Sequence, residues 1–257
     1  GFMSPRLHEG PVATFLEPLL RELDRTRFEV RLYSGSAHAD AASARLRSLA
    51  DGWCEAWRLD DAALVERLRG DRIDVLFELS GHAPAHRLRA LARRAAPVQV
   101  CWLDYFCTTG LASIDWFYSD AGLSPDGGPQ CYSERLLRLP VGRLCYLPPA
   151  DAPPVAVRAS RPLRFGSFNR LSKLNDEVAA AWSRILAALP GSVLRLKAHG
   201  LGDPRTRAWV SERRFAPHGI GPERLEFAGH GSHAEAMAAW IAIDLALDPF
   251  PFSGCAT

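Results

Sequence analysis

Apolar and polar positions repeat with two different periods along the first half of the chain. Apolar residues recur every three or four positions through residues 11–24, which predicts an amphipathic helix. Residues 28–33 alternate apolar and polar positions one by one, as a half-buried strand does. Further elements are predicted on the same grounds: strands over 1–4, 74–79 and 97–103, and helices near 41–50, 61–69 and 84–94. This alternation of strands and helices favours a parallel sheet covered by helices on both faces.

Proline and glycine interrupt the pattern over residues 120–162, so a linker between domains is predicted around 147–162. A second alternating series begins with a strand over 163–168 and a helix whose N-cap is Asn175. The series continues with strands over 193–198, 225–228 and 243–247 and helices over 204–216 and 233–241. We therefore expect an α/β fold with two doubly wound, Rossmann-like domains, at 1–155 and 156–257, of which the second is incomplete.

The composition is that of an ordinary globular protein. The 257 residues are 47% hydrophobic with a net charge of +2, which gives no electrostatic signature of a nucleic-acid or membrane partner. No signal peptide is recognisable, and no apolar run approaches the roughly 20 residues of a membrane span. The six cysteines lack paired spacing, which suits a reducing compartment, so a cytoplasmic location is expected. The chain begins inside a strand and ends after a glycine turn, which predicts a fragment of a longer protein.

Ligands in doubly wound folds bind beyond the carboxyl ends of the strands, and here the cleft is expected between the two domains. The first loop at such a position holds Ser80, Gly81 and His82. The glycine permits close approach of the backbone to a ligand, and the histidine could bond a sugar hydroxyl or a phosphate. Taken alone, a solvated loop histidine is the simpler interpretation of this tripeptide.

The second loop follows the strand over 97–103 and contains Thr108, Thr109 and Gly110. Its hydroxyls and backbone N–H groups suit phosphate or sugar oxygens, although an ordinary turn explains the same residues equally well. The loop also carries Asp104, and a carboxylate near a diphosphate needs a cation or a hydroxyl as its partner. We expect Asp104 to bond a hydroxyl of the donor or acceptor, or to pair with an arginine outside the pocket.

The third loop runs from the strand over 163–168 into the helix that Asn175 caps. Helix N-termini bind anions, and Arg170 and Lys173 add positive charge at the same place. A departing diphosphate needs this compensation because negative charge develops on it as the glycosidic bond breaks. The alternative is that Arg170 and Lys173 are two exposed basic side chains without a ligand, but the position of the loop favours a binding role.

A fourth loop, residues 248–257, follows the last predicted strand and ends at Thr257, whose hydroxyl could meet a phosphate. A proline-rich loop with packed phenylalanines is the alternative. Several common enzyme motifs are absent: a D-x-D carboxylate pair, a Walker-type phosphate loop, a G-x-G-x-x-G fingerprint and a nucleophile elbow. A metal-chelated nucleotide, an NTPase, a simple dehydrogenase and a lipase-like hydrolase are therefore disfavoured.

Five segments in consistent order resemble glycosyltransferase family 41, whose members include protein O-GlcNAc transferases, SPINDLY-type O-fucosyltransferases and bacterial cytosolic N-glucosyltransferases. The segments are IDVLFELSGH (73–82), RLRALARRAAPVQVCWLDYFCTTG (87–110), YSERLLRL (132–139), FGSFNRLSK (165–173) and IDLALDPFPFSG (243–254). The resemblance implies a two-domain GT-B fold in which the second domain holds most of the sugar nucleotide. It also implies inverting transfer to a protein hydroxyl without metal or cofactor, and TPR repeats upstream in the full-length chain.

The resemblance further implies roles for individual residues. Lys173 matches the lysine that members use on the donor diphosphate, and we assign it as the catalytic residue. The residues assigned to the nucleotide sugar are Ser80, Gly81, His82, Leu103, Thr108, Thr109, Gly110, Asn169, Arg170, His233 and Thr257. The expected donor is UDP-GlcNAc, and the expected acceptor is a Ser or Thr hydroxyl of a protein or peptide.

Departures from the family pattern keep alternatives open. Gly10 stands where many members carry a histidine, and the nearest histidine is His8. Asp104 and the pair Phe106 and Cys107 replace residues common in the loop of other members. The alternatives are another donor such as GDP-fucose or UDP-glucose, an N-linked acceptor, or a non-catalytic member that only binds sugar nucleotide or a partner protein.

Overall fold

The computed structural model describes residues 1–128, 131–148, 152–154 and 162–254 of the protein. The chain divides into two units, Gly1–Leu147 and Pro148–Thr257. The division falls at the start of the predicted linker, and the predicted boundary at 155/156 lies outside the described residues.

Seven parallel strands form the sheet of the first unit, in the order β3-β2-β1-β4-β5-β6-β7. The strands are β1 (Phe2–Ser4), β2 (Arg31–Ser34), β3 (Gly52–Cys54), β4 (Val75–Glu78), β5 (Val98–Cys101), β6 (Trp116–Ser119) and β7 (Arg135–Arg138). The order runs outward in both directions from β1 and β4, as in doubly wound dinucleotide-binding folds. The loops after β1 and β4 therefore flank the point where such folds bind ligands.

Among the described residues, four α-helices cover the two faces of this sheet: α1 (Pro11–Glu22), α2 (Ala41–Ser48), α3 (Asp61–Gly70) and α4 (Leu88–Leu91). Successive residues of a strand point to opposite faces, so Phe2 and Met3 enter different cores. Phe2 belongs to the cluster with α1 and α2, and Met3 to the cluster with α3 and α4. Asp40 and Asp60 begin α2 and α3 by accepting the N–H of the third helical residue, as N-caps do.

The second unit has a four-stranded parallel sheet in the order β10-β9-β8-β11. Its strands are β8 (Arg164–Ser167), β9 (Val193–Lys197), β10 (Leu225–Ala228) and β11 (Leu245–Ala246), and its helices are α5 (Asp176–Ala188), α6 (Pro204–Val210) and α7 (His233–Ile241). Asn175 caps α5 as predicted, with its Oδ1 accepting the N–H of Val178 at 2.8 Å. The predicted α/β class with two parallel sheets is confirmed.

The helix predicted over 84–94 is the largest difference in the first unit, because only residues 88–91 are helical. Ala85 and Arg94 take the left-handed backbone conformation, with φ of 65° and 50°, and this conformation cannot continue a right-handed helix. The helix predicted over 204–216 is present as a continuous helical path. It widens into a π turn at Ser211–Phe215 after α6, and a 3-10 turn follows at Ala216–His218.

Three strands were not predicted: β3, β6 and β7. Each has only three or four residues, too few for an alternating pattern to stand out. At the edge of the sheet, β7 exposes three of its four residues, so its hydrophobic signal is nearly absent. None of the described helices has the length and apolar character needed to cross a membrane.

Candidate functional site

The loop after β4 is shaped by Glu78, a buried carboxylate that was not among the predicted site residues. Its two oxygens accept the backbone N–H groups of Ser80 at 2.9 Å and Gly81 at 2.6 Å. Burial raises the pKa of Glu78 to about 7, against the lowering effect of those two hydrogen bonds, and the nearby charge of Asp104 adds to the rise. Glu78 thus fixes the turn that presents His82.

This arrangement predicts a pH-dependent stability. The folded protein holds the Glu78 proton up to a pKa of about 7, whereas the ordinary value is 4.5. Because the folded state then binds more protons than the unfolded state, stability falls as pH rises between these two values. The difference corresponds to about 3 kcal/mol in the free energy of unfolding. Urea unfolding at several pH values between 4.5 and 8 measures this slope, and Glu78→Gln removes the titrating group. An identical pH dependence in both proteins would contradict the assignment.

Gly81 is required by the backbone of the same turn. Its φ is +51°, and a Cβ at this position would lie 2.4 Å from Cβ of Tyr105. The loop after β5 therefore packs directly against the loop after β4. His82 joins the two loops as well, because its Nε2 lies 3.0 Å from the carbonyl oxygen of Thr109. A carbonyl can only accept, so Nε2 carries the proton, and Nδ1 of the neutral ring is left as an acceptor.

Thr108 and Thr109 point their hydroxyls at Glu134, which lies just before β7 and is 5% exposed. Thr108 Oγ1 donates to the Glu134 carboxylate at 2.6 Å, and the hydroxyl and the N–H of Thr109 both donate to it as well. Burial raises the pKa of Glu134, but these hydrogen bonds outweigh burial and hold it below its usual range. The two hydroxyls expected to meet phosphate or sugar oxygens are thus occupied by an internal carboxylate in this conformation.

Leu103 and Asp104 form the start of the same loop. Leu103 has a φ of 68°, and its carbonyl oxygen accepts a 2.6 Å hydrogen bond from Nη2 of Arg143, which also reaches the carbonyl of Tyr105. Arg143 itself accepts a bond from the Trp102 indole through its carbonyl, at 2.7 Å. Asp104 pairs with Arg6, at 3.2 Å between Oδ2 and Nη1. Of the two kinds of partner expected for Asp104, an arginine is present, and it comes from the loop after β1.

In the second unit, the order of the strands reverses between β8 and β11, and the third and fourth predicted loops follow these two strands. Hydrogen bonds join the two loops and brace the fourth loop internally. The Asn175 side-chain N–H donates to the carbonyl of Phe250 at 2.9 Å, and the N–H of Gly254 donates to Asp248 at 2.7 Å. Asn169, assigned to the nucleotide sugar, donates to the same Asp248 oxygen at 3.3 Å.

Lys173, in the third loop, also contacts the fourth loop. Its Nζ donates to the carbonyl oxygen of Ser253 at 2.7 Å and lies 4.7 Å from the centre of the Phe252 ring. Arg170, three residues earlier, is exposed. The two basic side chains therefore occupy one groove with the loop of residues 250–252.

A second lysine, Lys197, lines the adjoining depression together with Asn169, Arg170 and Lys173. Lys197 ends β9, and its Nζ donates to the carbonyl oxygen of Gly229 at 2.9 Å. Lys197 was not among the predicted site residues, although its position at the carboxyl end of the strand next to β8 was a usable signal. Of the remaining assigned residues, His233 begins α7 and Thr257 lies outside the described residues.

Known proteins resemble this chain in both sequence and fold. A family model described as glycosyl transferase family 41 matches residues 1–144. The probable UDP-N-acetylglucosamine–peptide N-acetylglucosaminyltransferase SPINDLY of rice is 34% identical over 100% of this chain and 28% of the rice protein. The SPINDLY protein of Arabidopsis thaliana is also 34% identical, over 29% of its length. The chain thus spans less than a third of these curated relatives.

A solved structure of a mutant O-GlcNAc transferase from Thermobaculum terrenum superposes with a TM-score of 0.94 and 44% sequence identity. The match covers 99% of this chain and 49% of the solved chain. The fold expected from the family resemblance is therefore confirmed together with the resemblance itself. This chain belongs to glycosyltransferase family 41.

Proposed function

We propose that this protein transfers N-acetylglucosamine from UDP-GlcNAc to serine and threonine hydroxyls of other proteins. The names of its SPINDLY relatives, which specify UDP-N-acetylglucosamine and a peptide, support this donor and this class of acceptor. We assign the donor diphosphate to the carboxyl edge of the second unit. His82 and the loop of residues 103–110 in the first unit are assigned to the transferred sugar and the acceptor.

The observation that carries the proposal is the placement of the lysines. The sequence holds only two, Lys173 and Lys197, and both line one depression at the carboxyl ends of neighbouring strands. Each ammonium is held by a neutral backbone carbonyl. A diphosphate oxygen carries charge and makes a stronger bond to an ammonium than a carbonyl does, so it can replace these partners.

The proposed chemistry is a direct displacement with inversion. The acceptor oxygen forms a bond to the anomeric carbon as the bond to the diphosphate breaks, and the acceptor proton leaves to a base. The charge that grows on the leaving diphosphate meets Lys173, Arg170 and the N-terminus of α5. We propose these fixed cations in the role that a chelated metal has in other glycosyltransferases, because the sequence has no D-x-D pair.

His82 suits a role beside the reacting sugar. Its bond to Thr109 fixes the ring and leaves Nδ1 as an acceptor for a hydroxyl of the sugar or of the protein substrate. The ring is exposed and faces Tyr105, with 5.3 Å between the ring centres. The contact with Tyr105 adds a second restraint on its orientation.

The experiment is a transfer assay on the full-length protein with UDP-GlcNAc, UDP-glucose and GDP-fucose, each offered with a protein extract as acceptor. Mass spectrometry of the products gives the mass of the added sugar and the modified side chain, and NMR of a glycopeptide gives the anomeric configuration. We expect N-acetylhexosamine on Ser or Thr in the inverted configuration, at a rate that added Mg²⁺ or Mn²⁺ does not raise. Transfer from GDP-fucose alone, or on asparagine alone, would support the alternative enzymes. Donor binding without transfer would support a non-catalytic member.

A further inference from the structure

A group of three side chains includes none of the residues assigned to the nucleotide sugar. In the described part of the chain, His8, His38 and Asp40 are the one group of His, Cys, Asp or Glu whose potential ligand atoms all lie within 4.8 Å of one another. His8 comes from the loop after β1, whereas His38 and Asp40 come from the loop after β2. The carboxyl ends of these two neighbouring strands bring the loops to one edge of the first sheet.

The geometry of the group suits a shared ligand. His38 Nε2 lies 3.6 Å from Asp40 Oδ2. The rings of His8 and His38 are 5.0 Å apart between centres and nearly perpendicular, at 89°. His38 is exposed, while His8 and Asp40 are partly buried, so the group opens to solvent on one side.

The backbone of Glu9 holds two members of the group. Its N–H donates to Asp40 Oδ2 at 2.8 Å, and its carbonyl oxygen lies 3.2 Å from His8 Nδ1. Because a carbonyl can only accept, His8 Nδ1 carries the proton and Nε2 of the neutral ring keeps its lone pair. Metal-binding histidines are oriented in this way, by donating the other ring N–H to a carbonyl or carboxylate.

Asp40 is fixed by its second role as the N-cap of α2. Its Oδ1 accepts the N–H of Ser43 at 2.9 Å, and the Ser43 hydroxyl in turn accepts the N–H of Asp40. The N–H groups of Ser43 and Glu9 together hold both oxygens of the Asp40 carboxylate in place. A negative carboxylate in a fixed position therefore faces the two histidines.

We propose that His8, His38 and Asp40 bind a divalent transition-metal ion, with Zn²⁺ as the preferred ion. Two imidazoles and one carboxylate are the donor set of zinc sites that keep a fourth position for water. Imidazole ligands favour zinc and its neighbours, whereas Mg²⁺ and Ca²⁺ prefer oxygen donors.

The ion would cross-link the loop after β1 to the loop after β2. Arg6, in the first of these loops, pairs with Asp104 in the loop after β5. The cross-link would therefore also restrain the loop after β5. No step of the proposed sugar transfer runs through the ion. The site can therefore be tested independently of that function, and the failure of one proposal leaves the other standing.

The test is a Zn²⁺ titration of the chelator-treated full-length protein in competition with a chromophoric chelator. Exposed thiols also bind Zn²⁺, so a variant carrying Cys131→Ser and Cys145→Ser is the baseline. We expect His8→Ala, His38→Ala and Asp40→Asn each to weaken Zn²⁺ binding by at least about tenfold, since losses beyond the direct ligands already cost roughly 10–100-fold. Asparagine keeps the ability to cap α2, so Asp40→Asn tests the charge and not the helix start.

The matched control is His218→Ala, which removes an exposed histidine distant in sequence from the group and should leave binding unchanged. Melting curves without metal show whether each variant is folded, and His38→Gln replaces His38→Ala if the latter is not. Equal Zn²⁺ affinity in the baseline and all three ligand variants would overturn the proposal, and so would an equal loss in His218→Ala. Either result would reduce the group to a His–Asp ion pair with an edge-on ring contact.

Discussion

Lys173→Ala should lower the turnover of the full-length protein by about 10²–10³, or ~3–4 kcal/mol in the activation barrier, the usual cost of removing one fixed donor from a developing negative charge. Its ammonium lies in the groove between the loop of residues 168–175 and the loop of residues 248–254. Donor affinity should fall by a smaller factor, because the lysine meets less charge on the bound donor than on the departing diphosphate. Steady-state transfer kinetics and donor titration calorimetry separate the two effects.

The fold should survive this substitution. The loop of residues 248–254 keeps its bonds from Asn175 to Phe250 and from Gly254 to Asp248 when the lysine is removed. Arg213→Ala is the charge-matched control, since Arg213 is exposed and lies outside the groove of the second unit. Near-wild-type turnover of Lys173→Ala with an unchanged melting temperature would show that the assigned role is wrong and that other groups meet the charge of the leaving diphosphate.

Gly81→Ala should lower the free energy of unfolding by about 2–5 kcal/mol. The left-handed conformation costs an alanine about 1–2 kcal/mol. The clash of its Cβ with Tyr105 adds about 1–3 kcal/mol, the usual cost of overpacking. Urea unfolding of the wild-type and variant proteins at a fixed pH measures this difference. The turn that presents His82 should move as the clash is relieved, so we also expect a loss of activity.

Gly110→Ala provides a matched control for the first of these two costs. Gly110 has a φ of +74°, but a Cβ there meets no atom within 4 Å, so its replacement should cost about 1–2 kcal/mol. Tyr105→Gly removes the clashing Cβ itself, so Gly81→Ala made in a Tyr105→Gly background should cost only the conformational part. If Gly81→Ala and Gly110→Ala are equally destabilised, the contact with Tyr105 contributes nothing.

Sequence patterns located the elements that carry long hydrophobic repeats, such as α1 and α5, and the loops that follow the central strands. They failed where tertiary contacts decide. The short edge strand β7 is mostly exposed, so its residues show no hydrophobic pattern typical of a strand. It is a strand because it pairs with β6. The helix expected over 84–94 is interrupted by left-handed residues that no local propensity favours.

The candidate site shows the same limit at the level of single side chains. The position of Thr108 and Thr109 after a buried strand was predictable from the sequence. The acceptor of their hydroxyls was not, because Glu134 lies about 25 residues further along the chain and meets them only through the packing of β5, β6 and β7. Glu78 and Lys197 were not predicted as site residues. Each is the last residue of a strand, and a polar residue at that position fits the strand pattern without indicating a site.

The hydrogen bonds of Arg143 have a consequence for how the first unit is completed during synthesis. The loop after β5 is held at the carbonyls of Leu103 and Tyr105 by a side chain that is added to the chain some forty residues later. A nascent chain that stops at Leu139 has all seven strands of the first sheet but lacks the hydrogen bonds from Arg143. Any excised first unit, and any boundary chosen for a domain exchange with a relative, must therefore extend past residue 143 to keep the loop of residues 103–110 in place.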